Sequence, residues 1–164
     1  MRVASRLLAS EGRAALTMRR IASELGIQAP SLYKHFHDKR ALEAALIADG
    51  LRELGSAMGA ALLDGAEPVE AVAGAYRRFG LQHSHLYRLM NDGPLPRDLL
   101  PPGLEDDVSR PLVEIFGDRV RARVAWAAAH GLVSLELAGR FPADADIDAA
   151  WDSAVRTLRA SAGG

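Results

Sequence analysis

The stretch TMRRIASELGIQAPSLYKHFHDKR, residues 17–40, carries the punctuation of a helix, a glycine turn and a second helix. Thr17 is a capping type, because its hydroxyl oxygen accepts a hydrogen bond from an otherwise unpaired backbone N–H of the first turn. Ile21, Ala22 and Leu25 then recur at helical spacing and predict one apolar face. Gly26 follows where a left-handed residue closes a helix, a conformation glycine adopts without a Cβ penalty. Pro30 fits the first turn of a new helix, where its missing N–H would be unpaired anyway. On that helix Leu32 and Phe36 are four apart and are expected to pack inward. Ser31, Tyr33, Lys34 and His35 are left to project outward. Hydroxyls, an aromatic OH, an ammonium and an imidazole on one face suit phosphates and the base edges of a major groove.

The run Thr17, Ile21-Ala22, Leu25-Gly26-Ile27, Ser31-Leu32-Tyr33-Lys34-His35-Phe36, Lys39 and Leu42 resembles the DNA-binding domain of the TetR family of one-component transcriptional regulators. The match spans roughly residues 3–47. It implies a role for each outward residue. Gln28, Ala29, Ser31 and Lys34 become candidates for base edges, since Gln pairs with adenine in a bidentate way and Lys reaches guanine acceptors. Thr17, Tyr33, His35 and Lys39 become candidates for phosphate contacts, with Lys39 at the start of the following helix. Members of the family usually carry a longer first helix, often preceded by a basic arm. Here Met1 falls close to where that helix is already under way, which implies either a short first helix or further residues upstream.

Charge supports a head that differs from the body. Residues 1–47 hold eight basic and four acidic side chains, a net +4, and the remainder holds twelve basic and seventeen acidic, a net −5. Both lysines of the chain, Lys34 and Lys39, lie in the head. A basic segment joined to an acidic one is the footprint of a polyanion-binding module attached to a different module. The apolar content of 49% supports a packed core. The absence of cysteine excludes disulfides and thiolate metal sites. Without a membrane-length apolar run or a signal peptide, a cytoplasmic protein is the expectation.

Helical patterns continue to the end. Val3 to Ser10 is short and ends at Gly12, and Asp38 is placed to cap a long helix from Lys39 to about Leu63. Pro68 opens a helix expected to run to about Met90. Residues 91–111 hold two glycines and five prolines and predict a long irregular connection, with Asp106-Asp107 as a solvated patch in it. Helix is expected again from about Pro111 to Phe116, from about Asp118 to Arg140, and from Ile147, capped by Asp146, to about Ala160. Alternating β-branched stretches are missing, so strands are not expected.

In the body, Tyr76, Phe79, His83, Tyr87 and Met90 fall near one stripe, and Trp126 and His130 share another. A largely apolar pocket between such helices, with a few polar handles, is the usual small-molecule site. Plain core packing is the competing reading of the same stripes. WAAAHGL, residues 126–132, resembles the signature of a TetR subgroup named for its Trp-His-Gly residues, which implies a ligand-sensing and dimerising domain over roughly residues 68–160. Ile147, Ala150, Trp151, Ala154, Val155 and Leu158 give the last helix an apolar face, expected to join the helix before it in a four-helix dimer interface. No metal site is expected, since His83 and His85 face different ways on a helix. Nor is an enzyme, because no nucleophile elbow, phosphate loop or His-Glu-x-x-His is present.

The expected architecture is all-α: a helix-turn-helix DNA-binding domain over residues 1–47, then a helical-bundle domain over 48–164 for effector binding and dimerisation. The expected activity is that of a homodimeric repressor, bound to double-stranded DNA at a palindromic operator and released by a small apolar effector, with no cofactor and no membrane. The alternative is a helical ligand-binding or protein-interaction module with weakened DNA binding.

Overall fold

The computed structural model describes residues 1–162, and these are all-α with no strand. The α-helices are α1 (Arg2–Glu11), α2 (Met18–Glu24), α3 (Ala29–Tyr33), α4 (Lys39–Leu63), α5 (Pro68–Gln82), α6 (Ser84–Asn91), α7 (Leu104–Phe116), α8 (Arg119–Leu137) and α9 (Ile147–Ala162). Single 3-10 turns form at Arg13–Ala15 and Arg97–Leu99. The chain divides into two compact units, one of residues 1–52 with 83–104, the other of residues 53–82 with 105–164.

Local chemistry sets the helix ends in the first unit. Thr17 Oγ1 accepts the Arg20 N–H at 3.1 Å and caps α2. Gly26 closes the turn with φ 67°, and Pro30 lies in the first turn of α3. Asp38 Oδ1 accepts the Ala41 N–H at 2.7 Å and caps α4. The core of this unit draws Leu7 and Leu8 from α1, Met18, Ile21 and Ala22 from α2, Leu32 from α3, and Leu42 and Leu46 from α4, all buried. Leu25 departs from expectation. It is the C-cap residue of α2, beyond the inward face, and is 45% exposed.

The helix expected from Pro68 to Met90 breaks at His83, whose φ of −115° and ψ of 43° are not helical. No glycine or proline marks this point in the sequence. The boundary between the two compact units falls there, with α5 in one and α6 in the other. Residues 83–104 pack in the same compact unit as residues 1–52, where α6 contributes buried Tyr87, Leu89 and Met90. Gly50 makes room for α6, since a Cβ there would lie 2.7 Å from the Met90 sulfur and 3.1 Å from Leu86.

In the second unit α5, α8 and α9 pack on one another, and Val69, Phe116, Ala125 and Val155 form a buried cluster. Helix α7 begins at Leu104, well before the expected start at Pro111. Gly103 at φ 80° releases the chain from the proline-rich loop, and Glu105, Asp106 and Asp107 favour a helix N-terminus through the macrodipole. Pro111 sits inside the helix, where it removes one backbone bond. The acidic pair is thus the first turn of a helix, with Asp106 paired to Arg119 and Asp107 to Arg110. Asp118 and Asp146 cap α8 and α9 as expected, accepting from Val120, Arg121 and Ala149.

Part of the apolar face of α9 is buried within the subunit, while Ile147, Ala150, Ala154 and Leu158 are half-buried. Trp151 and Val155 are buried, and the Trp151 indole donates to Glu136 at 3.2 Å. Glu136 is held in turn by the Arg77 guanidinium, at 3.1 and 2.8 Å, which also lies 5.4 Å from the Trp151 ring centre. This polar cluster ties α5, α8 and α9 together around a half-buried ion pair.

Candidate nucleic-acid interface and ligand site

Helix α3 has five residues and buries one of them, Leu32. The side chains at and just beyond its ends are exposed. Gln28 sits at its N-cap without a side-chain capping bond, Tyr33 is 51% exposed, and Lys34 and His35 are exposed. Ala29 and Ser31 are half-buried. Thr17 is exposed and uses its oxygen as an acceptor in the cap, leaving the O–H to donate outward. All eight residues read from the sequence as DNA contacts lie in the first unit. Arg19 lies two residues after Thr17 in the first turn of α2, exposed and without an ion-pair partner among the described residues. Its neighbour Arg20 is occupied by Glu11 at 3.2 Å and Glu24 at 3.3 Å. Sequence position alone does not separate the two arginines.

Lys39 and Arg40 open α4, whose first turn contains no acidic residue. Arg40 is taken by Asp98, with contacts of 2.8 and 2.5 Å. Lys39 lies 3.6 Å from Glu43, one turn on. Glu43 is the buried charged side chain of the described residues, 8% exposed, and it is also gripped by Arg13. The guanidinium donates from Nε to Oε1 at 3.0 Å and from Nη2 to Oε2 at 2.8 Å. Burial pushes the Glu43 carboxyl up. The hydrogen bonds and charges of Arg13 and Lys39 together outweigh it and hold the group below its ordinary value.

The residues expected to line one effector site are divided between the two compact units. Tyr76, Phe79, Trp126 and His130 are in the second unit, and His83, Tyr87 and Met90 are in the first. Tyr87 and Met90 are buried there as core. Tyr76 and Trp126 do meet, with the indole donating to the phenolic oxygen at 3.1 Å. Beside them, with Val69, Phe116 and Leu158, lies an apolar cavity of about 20 Å³. That is room for about one water molecule, against roughly 300–1,000 Å³ for ordinary ligand sites. His130 lies 6.1 Å from the Trp126 ring and within 3.4 Å of the Ser134 hydroxyl. A wider groove of about 430 Å³ runs between Gly55, Gly59 and Leu62 of α4 and Arg110, Pro111 and Glu114 of α7. Among the described residues, no three metal-ligating side chains cluster, and no helix is long and apolar enough to cross a membrane.

A capped helix, a glycine turn and a short helix with a free polar face define a helix-turn-helix DNA-binding regulator. The chain belongs to the TetR family. Residues 1–46 match the family described as "Bacterial regulatory proteins, tetR family", and residues 69–158 match "Tetracyclin repressor-like, C-terminal domain". The HTH-type transcriptional regulator Rv0681 of Mycobacterium tuberculosis is 32% identical over 163 residues, covering 92% of this chain and 73% of the relative. The tetracycline repressor protein class C of Escherichia coli is 52% identical over 46 residues, 28% of this chain and 21% of that protein. Among solved structures, a protein from Rhodococcus sp. RHA1 superposes with a TM-score of 0.74 at 26% identity, over 97% of this chain and 90% of that one. The structure of SCO4313 gives a TM-score of 0.76 at 25% identity, over 94% and 90%. The protein is a DNA-binding transcriptional regulator and not an enzyme. The segment 126–132 lies inside the C-terminal match.

The ion pair at Glu43 sets an acid limb to stability. A carboxyl whose pKa is lower in the folded chain contributes fully above its unfolded value, near 4.5, and loses that contribution as pH falls through the folded value. Glu43→Gln is expected to flatten the fall in urea-denaturation stability below about pH 4.5. An unchanged acid limb, followed by circular dichroism, would exclude this pair as its source.

Proposed function

We propose that the chain is a homodimeric repressor that binds a palindromic operator and is released by a small apolar effector. The observation that carries the DNA reading is the recognition helix. Gln28, Ser31, Tyr33, Lys34 and His35 surround one buried leucine and make no side-chain bond within the described residues. In this reading Gln28, Ala29, Ser31 and Lys34 address base edges, and Thr17, Tyr33, His35 and Lys39 address phosphates, with Arg19 added to the phosphate group. Lys39→Ala should weaken binding to all duplexes alike and lower the slope of log K against log salt by about one. Gln28→Ala should change base preference with little effect on general affinity. A salt titration with an unchanged slope, or the same motif recovered by selection with both proteins, would refute the respective assignments.

Two half-sites need two heads, and a symmetric dimer supplies them. Since α9 buries Trp151 and Val155 internally and α8 carries the more exposed apolar side chains, α8 is the surface we assign to the partner. Val120, Val124 and Leu135 are 67%, 60% and 44% exposed, and with Ala127 and Gly131 they share one face of the helix. Val124→Glu is expected to yield a monomer by light scattering at micromolar concentration, where the unsubstituted chain is a dimer. A monomeric parent would defeat the proposal.

For the effector we assign the apolar region beside Tyr76 and Trp126. Occupation requires the cavity to open, so the ligand must favour the opened conformation, and through α4, which has residues in both compact units, that preference is to alter the spacing of the heads. A lipophilic ligand should raise the melting temperature and quench Trp126, and the quenching should vanish in Trp126→Phe. Absence of any shift across a broad lipophilic library would sink this assignment.

A further inference from the structure

We propose that Glu43 is a positioning residue for DNA binding, its carboxylate fixing the Lys39 ammonium at the start of α4 for a phosphate. The inference rests on the DNA-contact reading of Lys39 given above. Three features of the head point to it.

Lys39 is not placed for helix stability. A cation in the first turn opposes the helix macrodipole. Lys preceding Glu by four residues is also the weaker order of such a pair. The side chain remains 44% exposed, so desolvation does not account for it either.

Glu43 does not need Lys39. Both of its carboxylate oxygens are already met by Arg13, one at 3.0 Å and one at 2.8 Å. Arg13 reaches it from the 3-10 turn after α1, and so fixes the carboxylate from outside α4. The ammonium 3.6 Å away is a second cation on a carboxylate whose two oxygens Arg13 already meets.

A carboxylate near a phosphate site is unfavourable by simple charge. Its retention beside a phosphate-binding lysine is reasonable when it lowers the conformational freedom that lysine loses on binding. Lysine carries several rotatable bonds, and holding its end in place before contact reduces the ordering cost. The Arg13 guanidinium offsets the cost of burying the anion and leaves the Arg13–Glu43–Lys39 group with a net positive charge.

This assignment reverses the sign expected from charge alone. Deleting the Glu43 carboxylate should tighten DNA binding if only Coulomb repulsion matters. Under the proposal it weakens binding, by about threefold to tenfold, and does so through Lys39. The test is a double-mutant cycle by fluorescence anisotropy, on a duplex recovered by selection from a random pool. The proteins are the unsubstituted chain, Glu43→Gln, Lys39→Ala and the double variant. The expected result is loss with Glu43→Gln alone and no further loss in the Lys39→Ala background. Tighter binding by Glu43→Gln, or equal losses in both backgrounds, would overturn the proposal while leaving the DNA-binding reading intact. No binding by the unsubstituted chain would overturn both.

A second measurement needs no substitution, in case Glu43→Gln fails to fold. Lys34 and Lys39 are the two lysines of the chain, and Lys34 has no ion pair among the described residues. After reductive methylation with labelled carbon, the dimethyl-lysine signal of Lys39 should relax as a less mobile group than that of Lys34. Indistinguishable behaviour of the two signals would reject the positioning role.

Discussion

A five-residue recognition helix cannot stand alone, and this constraint governs the DNA-binding head. Isolated helices shorter than roughly a dozen residues are marginal in water, because the first turn fixes several dihedrals for one bond. Helix α3 is therefore oriented by tertiary packing, through its contact with α2 and the burial of Leu32. The Gly26 turn and the caps at Thr17 and Asp38 fix where the flanking helices start and stop. With one inward anchor, the remaining positions of α3 are free to carry recognition chemistry.

The two compact units handle charge in different ways. In the head, Arg13 and Glu43 form a pair whose acid is buried and whose base remains exposed, with Lys39 as a second cation on that acid. In the second unit, Arg77, Glu136 and Trp151 form a half-buried cluster that uses its donors and acceptors on one another. The second arrangement satisfies polar groups among three helices and leaves little for a ligand. The apolar region beside Tyr76 and Trp126 has space without such obligations, although that space is small in this conformation.

Much of the architecture was legible from local chemistry. The long helix from Lys39 to Leu63, the capping roles of Thr17, Asp38, Asp118 and Asp146, and the left-handed Gly26 all follow from residue types at fixed offsets. The exposure of Gln28, Tyr33, Lys34 and His35 was legible as well, because an outward face is what remains once the inward positions are assigned. Arg19 was not, since its distinction from Arg20 lies in which arginine the nearby Glu11 and Glu24 occupy.

What local chemistry left open has a different cause. The break at His83 has no glycine or proline to announce it, and it coincides with a division between two cores that appears only when the chain is folded. Tyr87 and Met90 have the helical spacing of a shared stripe with Tyr76, yet they enter the other core. The apolar face of α9 was visible in the sequence, but that the subunit itself buries Trp151 and Val155 was a matter of which neighbours arrived. The sequence by itself determined the family, the helical class and the outward chemistry of the head, because these depend on short-range periodicity and backbone preference. Tertiary structure decided which apolar faces were already used and which charges already paired, because burial and ion pairing belong to residues brought together from distant parts of the chain.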